Sequence, residues 1–462
     1  MIGSELPKGW KLTKLGNILC RMTNGLNIEQ TDVCSIDSFP ISRIETIANE
    51  KIDFSRVKYC TPSIDQKQKY LLEDGDILFS HINSDKHLGK TAIYKDIEPL
   101  IHGVNLLLLR CNSELYNSGM LNYLLRYYRY TGVFMGIAQR AVNQSSINQK
   151  KLSNLDIPLP PLTEQKQIAE KLDKLFDQIE TIKEASNKIP ELLKNFRQQV
   201  LTYAVTGKLT EEWRNNNNVN LIRIIDQLKE QRINEVSSKV LKEKLEKIYI
   251  DNNSSIDFPI PEQWIPINLD KICESFSYGT SSKSMNEGTY PVLRMGNIQN
   301  GKLIWSDLKY TSDESEYIKY QLNVGDVLFN RTNSPELVGK TAIYDEDKKA
   351  CYAGYIIRID PYREYVNPYY LNIVLNSQYA KRWCWEHKSD GVSQSNINAQ
   401  KLSKFTIPYP HIAEQNIIVE RVQSLFAKLD AIEDKYNIML ENLGKLPQAL
   451  LCKAFEGEMF TK

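Results

Sequence analysis

The 462-residue sequence lacks the features that would place it at once in a functional class. No run approaches the roughly 18 apolar residues that a membrane-spanning helix needs. The segment MIGSE at residues 1–5 has neither the basic start nor the apolar core of a secretion signal, so we expect a cytoplasmic protein. The net charge is only +1, from 58 basic and 57 acidic residues, so composition neither indicates nor excludes a nucleic-acid partner.

Residues typical of metal and redox sites are few and scattered. The eight cysteines form no Cys-x-x-Cys pair and the five histidines show no metal-ligand spacing, which predicts free thiols and no bound metal. Two motifs that resemble catalytic ones are incomplete. Gly89-Lys90-Thr91 lacks the first glycine of a phosphate-binding loop, and NPYY at residues 367–370 lacks the second proline of an amino-methyltransferase signature.

A duplication dominates the chain. Residues 75–94 (GDILFSHINSDKHLGKTAIY) and 325–344 (GDVLFNRTNSPELVGKTAIY) are identical at twelve of twenty positions without a gap. Residues 143–180 and 393–430 keep the same offset and agree at sixteen of 38 positions. LPKGW at residues 6–10 is answered by IPEQW at residues 260–264. A repeat of this length predicts two copies of one structural unit.

Each copy has a β-rich part followed by a helical part. Residues 1–160 and 256–410 carry short alternating runs broken by Gly, Asn and Asp, which predict strands and hairpins mixed with some helix. We therefore expect an α+β fold with two globular domains. The remaining segments are two helical regions and a linker that contains a charged helix, at residues 161–214, 411–462 and 215–255 respectively.

The helical parts carry apolar residues at coiled-coil spacing. The first seam consists of Ile168, Leu172, Leu175, Ile179, Ile182, Ile189, Leu193, Phe196 and Val200, and the second follows the same spacing from Ile418 to Leu450. About five heptads predict coiled-coil packing. The alternative, a helix lying on its own domain, fits poorly because forty residues would span about 60 Å.

Several residues predict where these helices begin and break. Thr163 is expected to cap the first helix, whereas Ala413 offers the second helix no equivalent cap. Pro190 should break or kink the first helix, and Gly444 and Pro447 should weaken the second.

Four motifs together carry a family resemblance. They are PPLTEQ at residues 160–165, FRQQVL at 196–201, TGKLTEEWR at 206–214 and LPQALLCKAFEGE at 446–458. The chain resembles the specificity subunit of type I restriction–modification enzymes over nearly its whole length, including the order domain, helix, domain, helix. One departure is His411, which stands where the family usually has a second proline.

The resemblance implies a non-catalytic DNA-recognition subunit. Each globular domain would be a target recognition domain reading one half of a bipartite site in double-stranded DNA. The long helices would pair as an antiparallel coiled coil, set the spacing of the half-sites and dock two methyltransferase (M) subunits, and two motor–nuclease (R) subunits would complete the complex. No cofactor is expected on this chain, because S-adenosylmethionine, ATP and Mg would be bound by the partner subunits.

Polar residues in loops that match between the copies are the candidates for base contacts, because Arg suits guanine edges and Asn or Gln suits adenine edges. In the first copy they are Arg43, His81, Asn83, Lys86, Arg140, Asn143 and Gln144. In the second copy they are Arg294, Asn297, Arg331, Asn333, Lys388 and Gln394.

Three alternatives stay open on the sequence. A free-standing enzyme would need a catalytic constellation, and none is apparent. A coiled-coil scaffold that binds only proteins would not need divergent loops in a fixed frame. A specificity partner of a related system, in which methylase and nuclease are fused, would differ in its neighbouring genes.

Overall fold

The computed structural model describes residues 6–95, 98–141, 144–217, 220–251, 254–392 and 394–459. The chain divides into two compact units. Unit 1 consists of Met1–Asn187 and Asn437–Lys462, and unit 2 consists of Lys188–Tyr436. Each unit therefore combines one globular domain with helical segments from both copies, so the units cut across the linear order of domain and helix.

The strands are short and are found in both domains. In the first domain they are β1 Lys11–Lys14, β2 Leu19–Asn24, β3 Phe39–Ile41, β4 Lys58–Cys60, β5 Ile77–Phe79, β6 Ile82–Asn83, β7 Thr91–Ile93, β8 Leu107–Cys111, β9 Gln139–Ala141, β10 Gln144–Ser146 and β11 Asp156–Leu159. In the second domain they are β12 Ile265–Asn268, β13 Cys273–Tyr278, β14 Tyr290–Leu293, β15 Ile298–Gln299, β16 Lys302–Leu303, β17 Lys309–Thr311, β18 Val327–Asn330, β19 Thr332–Asn333, β20 Thr341–Ile343, β21 Cys351–Tyr352, β22 Ile356–Pro361, β23 Ser389–Asp390, β24 Ser395–Asn396 and β25 Thr406–Tyr409.

Helices connect and flank these strands. Up to the linker they are α1 Ile64–Tyr70, α2 Ser118–Tyr130, α3 Val133–Ile137, α4 Gln149–Ser153, α5 Leu162–Ser186, α6 Ile189–Val205, α7 Glu211–Asn215, α8 Leu221–Glu235 and α9 Lys239–Ile250. From the second domain onward they are α10 Leu269–Ile272, α11 Glu314–Lys319, α12 Pro368–Leu375, α13 Gln378–His387, α14 Ala399–Ser403 and α15 Ile412–Phe455. Short 3-10 helices lie at Leu15–Ile18, Glu45–Ile47, Phe54–Arg56, Lys208–Thr210 and Met295–Asn297.

The sheet topology repeats and confirms the predicted duplication. A four-stranded antiparallel sheet has the order β2-β8-β5-β7 in unit 1 and β13-β22-β18-β20 in unit 2. A two-stranded pair joins the start and end of each domain, β1 with β11 and β12 with β25. Each domain also has a three-stranded sheet, β6-β10-β9 and β19-β24-β23.

The central strands explain the buried apolar run in each repeat. Because side chains alternate along a strand, Ile77 and Phe79 face the main core beside α2 and α5, while Leu78 faces a smaller core on the other side. Val327 and Phe329 face the main core of unit 2 in the same way, and Leu328 faces a second core.

A buried glutamine joins the long helix of each copy to its domain. Gln165 is fully buried; its Nε2 donates to the carbonyls of Pro160, at 2.9 Å, and Leu115, at 3.2 Å, and its Oε1 accepts from the amide of Asn117 at 2.8 Å. Asn117 in turn caps α2 by accepting from the amide of Met120. Gln415 repeats this pattern with Pro410, Tyr365 and Asn367, and Asn367 caps α12.

A glutamate next to that glutamine holds the opening tryptophan of each domain. Trp10 Nε1 donates to Glu164 at 3.1 Å, and Trp264 Nε1 donates to Glu414 at 2.8 Å. In unit 2 the buried Glu414 also accepts from Thr210 and Arg214, each at 2.7 Å. The motif TGKLTEEWR therefore supplies a neutralising partner for a buried carboxylate, which would otherwise be costly.

The helical segments of unit 2 pair antiparallel, as expected. Arg197 forms ion pairs with Asp430 and Glu433, and Arg214, further along the chain, forms one with Glu414. The residue numbers increase along the first segment and decrease along the second, so the two segments run in opposite directions. A glycine in the left-handed conformation follows the end of α6 and of α15, and each lies against the opening proline of a domain. An added Cβ at Gly207 would meet Pro261 at 2.5 Å, and one at Gly457 would meet Pro7 at 2.4 Å.

Helix boundaries confirm some predictions and correct others. The first long helix breaks as predicted at Pro190: α5 ends at Ser186 and α6 begins at Ile189. The cap predicted for Thr163 is wrong, because α5 already begins at Leu162 after Pro161, with no side-chain cap.

The second long helix begins with a cap that the sequence did not suggest. His411 Nδ1 accepts from the amide of Ala413 at 3.3 Å, so the residue that departs from the family pattern takes the capping role. α15 then continues through Pro447 to Phe455. The single charged helix expected over residues 221–250 is two helices, α8 and α9.

Loss of the Gln165 side chain should destabilise unit 1. The change Gln165→Ala would leave the buried carbonyl of Pro160 and the part-buried carbonyl of Leu115 and amide of Asn117 without their partner, so we expect a loss of about 2–4 kcal/mol in the free energy of unfolding. Urea denaturation of the full chain measures it. Gln167→Ala, at an exposed position of the same helix, is the matched control and should stay within about 0.5 kcal/mol; equal effects of the two changes would contradict the clamp.

Candidate nucleic-acid interface

The first three-stranded sheet gathers candidates from two distant stretches of the first domain. In it β10 pairs antiparallel with both β6 and β9, with Ser145 opposite both Asn83 and Arg140. Arg140 and Gln144 are exposed. His81, which precedes β6, is 9 % exposed, and its burial lowers the pKa of the imidazole. The ring is therefore neutral at neutral pH and offers polar atoms rather than a positive charge.

The second three-stranded sheet occupies the equivalent place in the second domain. There β24 pairs antiparallel with β19 and β23, with Ser395 opposite both Asn333 and Asp390. Arg331 directly precedes β19, and Gln394 is exposed just before β24. We call these two elements the hairpin sheets, each defined by its three strands.

An equivalent serine holds a carboxylate at each hairpin sheet. Ser145 Oγ donates to Asp85 Oδ1 and Ser395 Oγ donates to Asp390 Oδ1, each at 2.5 Å. The serines match in the duplication, whereas the aspartates do not, because Asp85 lies in the turn after β6 and Asp390 lies on β23. The fold thus places an acceptor carboxylate beside the same serine from two different parts of the chain.

Asp390 presents its carboxylate to solvent despite its partners. Lys388 Nζ donates to both oxygens, at 2.6 and 2.8 Å, and hydrogen bonds from Lys388 and Ser395 lower the pKa of the Asp390 carboxyl. The Asp390 side chain is 62 % exposed, whereas that of Lys388 is 8 % exposed and also lies over the Trp385 ring. The charge offered at this position is therefore the carboxylate, and the predicted candidate Lys388 supports it.

Arg331 is oriented by an aromatic ring. Its guanidinium lies 4.6 Å from the centroid of Tyr278, and its Nη2 and Nη1 donate weakly to Asn396 Oδ1, at 3.3 Å, and the Gly354 carbonyl, at 3.4 Å. The Nε atom has no partner among the described residues. Because that Nε atom is buried, a further acceptor would meet the remaining N–H groups of Nη1 and Nη2, which Tyr278 and these long contacts pre-position.

Two asparagines at the sheets serve the turns that follow them. Asn83 Oδ1 accepts from the amide of Ser84, and Asn333 Oδ1 accepts from the amide of Ser334, both at 2.8 Å. Lys86 lies in the turn after Asn83 and is exposed.

The remaining candidates lie apart from the hairpin sheets. Arg43 pairs with Glu45 at 3.5 Å, and Arg294 donates to the carbonyl of Asp307 at 2.7 Å. Asn297 is 3 % exposed and its amide donates to the carbonyls of Ile304 and Ser306, so it braces a turn. Asn143 lies outside the described residues.

The carboxylates and the orienting tyrosine were missed on the sequence. Asp85 lies in a stretch whose residues differ between the two copies. Such a difference arises from neutral sequence drift as well as from a change in function, so it did not single out Asp85. The available signal was the shared serine in QSSIN at residues 144–148 and QSNIN at residues 394–398.

The described residues contain neither a candidate metal site nor a candidate membrane-spanning helix. In the part of the chain that the structure describes, no group of three or more His, Cys, Asp and Glu side chains could hold a metal ion. No helix within the described ranges is long and apolar enough to cross a membrane.

Comparisons with known proteins agree on one family. The family described as "Type I restriction modification DNA specificity domain" matches residues 7–191 and 261–442. The chain is 33 % identical, over 91 % of its length and 88 % of the relative's, to a putative type I restriction enzyme MjaX specificity subunit of Methanocaldococcus jannaschii. It is 27 % identical to the type I restriction enzyme EcoKI specificity subunit of Escherichia coli K12, over 99 % and 91 % of the two chains.

Solved structures agree on the fold. The HsdS subunit from Thermoanaerobacter tengcongensis superposes with a TM-score of 0.60 at 18 % identity, covering 99 % of both chains. A chain from a study of complex assembly in the type I R-M system gives a TM-score of 0.63 at 18 % identity, covering 98 % of this chain and 99 % of that one. With both repeats matched, the chain belongs to the specificity subunits of type I restriction–modification enzymes.

Proposed function

We propose that the two hairpin sheets are the base-reading surfaces of this specificity subunit, one for each half of a bipartite DNA site. The observation that carries the proposal is the Ser145–Asp85 and Ser395–Asp390 pairing at matching positions of the two domains. A shared frame with different polar groups is what two unlike half-sites require.

The chemistry of each sheet fits the major groove. A carboxylate accepts from the exocyclic amino group of cytosine, whereas the planar guanidinium of arginine donates to the two acceptors of guanine. The second sheet carries both kinds of group, in Asp390 and Arg331. The first carries Asp85 with the exposed Arg140 and Gln144.

The proposal extends to the partners. Two M subunits would dock on the helical segments, with two R subunits completing the restriction enzyme, and S-adenosylmethionine, ATP and Mg would be bound by those subunits and not by this chain. The supporting observation is that matching positions of the two helices expose an apolar side chain, with Phe196 46 % and Leu446 40 % exposed. Burial of exposed apolar side chains is a main driving force of protein–protein association.

Exchange of the carboxylates should change the methylated motif one half-site at a time. Asp390→Asn converts an acceptor into an amide that suits adenine, so one position in the second half-site should lose about 1–3 kcal/mol of discrimination for cytosine. Asp85→Asn should do the same in the first half-site only. Methylome sequencing of a host that carries the assembled modification enzyme measures both.

The two variants control each other. A purely structural role would reduce methylation of the whole site without changing its sequence. A wild-type motif in both variants, at wild-type extent of methylation, would rule out these carboxylates as reading groups.

Arg331→Ala should relax a different position of the second half-site, by about 1–3 kcal/mol of discrimination. Tyr278→Leu removes the ring that orients the guanidinium, so it should produce a weaker relaxation at that same position. Competition binding with a set of duplexes that differ at single base pairs resolves the position. Relaxation by Tyr278→Leu at a position that Arg331→Ala leaves unchanged would contradict the orienting role.

Phe196→Glu should remove one of the two proposed M subunits. A charge at one docking position opposes burial there, while the repeat at Leu446 stays intact, so light scattering should show one M subunit per chain instead of two. Ile36→Glu, at a fully exposed loop position, is the control and should leave two. Retention of both M subunits by Phe196→Glu would exclude this docking position.

A further inference from the structure

A cavity of about 620 Å³ lies within unit 1 and is not explained by DNA reading. Its floor is α2, one wall is α5, and the other wall is the segment from Asn49 to Phe54. Asn122 of α2 lines the cavity; it is 4 % exposed and its Oδ1 has no hydrogen-bond partner among the described residues. A buried acceptor without a partner is destabilising, so a ligand that donates to it would offset that cost.

The second copy shows how the same position is satisfied. Asn372, equivalent to Asn122 in the repeat, accepts at Oδ1 from Asn376 Nδ2 at 2.9 Å and donates from Nδ2 to the Gly301 carbonyl at 3.0 Å. In the first copy the residue equivalent to Asn376 is Arg126, and its guanidinium pairs instead with Glu50, at 2.6 Å. In the second copy Asn376 supplies the N–H donor to this asparagine. In the first copy the equivalent residue, Arg126, pairs with Glu50 instead.

The cavity also owes its space to a glycine. Gly119 lines it, and the equivalent residue of the second copy is Tyr369, which packs against the core of unit 2. The loss of a tyrosine side chain at this position in unit 1 leaves room beside α2 that the second copy fills.

One wall of the cavity carries carboxylates on a single face of α5. Glu170, Asp173 and Asp177 line it at helical spacing. Asp173 accepts from the Tyr123 hydroxyl at 2.5 Å, and burial raises the pKa of that phenol, which stays protonated. The carboxylates of Glu170 and Asp177 have no ion-pair or hydrogen-bond partner in the described part of the chain.

The other charged residues that line the cavity indicate where in it a cationic ligand would bind. Glu50 is neutralised by Arg126 and Arg129, and Glu180 is 3.7 Å from Lys51. Lys95 and Lys166 also line the cavity, and Lys166 lies on α5 one turn before Glu170, so a cation is favoured along the part of the α5 wall from Glu170 to Asp177 and not across the whole space.

We propose that this cavity binds a linear polyamine, with one ammonium group donating to Asn122 Oδ1 and others lying along the Glu170–Asp177 face. Those two carboxylates are seven residues apart on α5, or about 10 Å. A triamine such as spermidine spans that distance, whereas the diamine putrescine does not. Bound there, the polyamine bridges α2 to α5 and braces the first reading domain against its own helix.

Isothermal titration calorimetry of the full chain with spermidine tests the site. We expect saturable one-to-one binding, weaker binding of putrescine, and none of tetramethylammonium at equal ionic strength, because that cation has no N–H donor. Spermidine should also raise the melting temperature, as any ligand specific to the folded state does. Equal responses to spermidine and tetramethylammonium would overturn the proposal.

Variants of the lining separate a built site from general charge attraction. Asn122→Leu removes the acceptor at similar volume and should weaken spermidine binding at least tenfold, with folding checked by the melting curve. Glu170→Gln should weaken it about threefold, whereas Glu420→Gln, the matched position of the second copy, should not change it. Unchanged affinity in a folded Asn122→Leu variant, or equal effects of the two glutamate changes, would exclude the site; neither outcome bears on DNA reading.

Discussion

The structure depends on a pair of neighbouring polar residues at the start of each long helix. In each copy the glutamine is fully buried and ties three backbone groups of the domain to the helix, while the glutamate holds the indole of the opening tryptophan. Because buried polar groups are costly unless all their hydrogen bonds are made, these contacts define one geometry between helix and domain. A helix proposed to set the position of a reading surface needs a single fixed geometry relative to its domain. Hydrogen bonds with specific partners provide this better than further burial of apolar surface does.

The duplication provides a comparison in which fold is constant and side chains vary. Ser145 and Ser395 perform the same task, yet their carboxylate partners come from different strands and turns. The same serine thus holds a carboxylate supplied from a different part of the chain in each copy, so the side chains at the two hairpin sheets differ while the hydrogen bond persists. The same comparison shows a difference between two equivalent asparagines. The side-chain oxygen of Asn122 has no hydrogen-bond partner among the described residues, whereas that of Asn372 accepts a hydrogen bond.

Much of the fold follows from the sequence because its signals are local or repeated. The duplication, the helix starts at Asn117 and Asn367 and the break at Pro190 each rest on short-range chemistry. The hairpin sheets were less accessible, since strands of two or three residues are fixed by partners about sixty residues away and not by their own periodicity. Asn297 shows the limit: its type suits an adenine edge, but only the fold reveals that backbone carbonyls occupy its amide.

The near-neutral net charge of the chain affects how the proposed reading surfaces, the two hairpin sheets, would bind DNA. Long-range attraction to DNA grows with the net positive charge of a protein, and a chain with 58 basic and 57 acidic residues has an excess of only one. In the proposed function, carboxylates such as Asp85 and Asp390 would lower the affinity for DNA further while adding discrimination between bases. Such a subunit would select sequence without binding DNA tightly by itself. Most of the phosphate contacts would then fall to the M subunits that we propose to dock on its helices, which would couple stable binding to assembly of the complete enzyme.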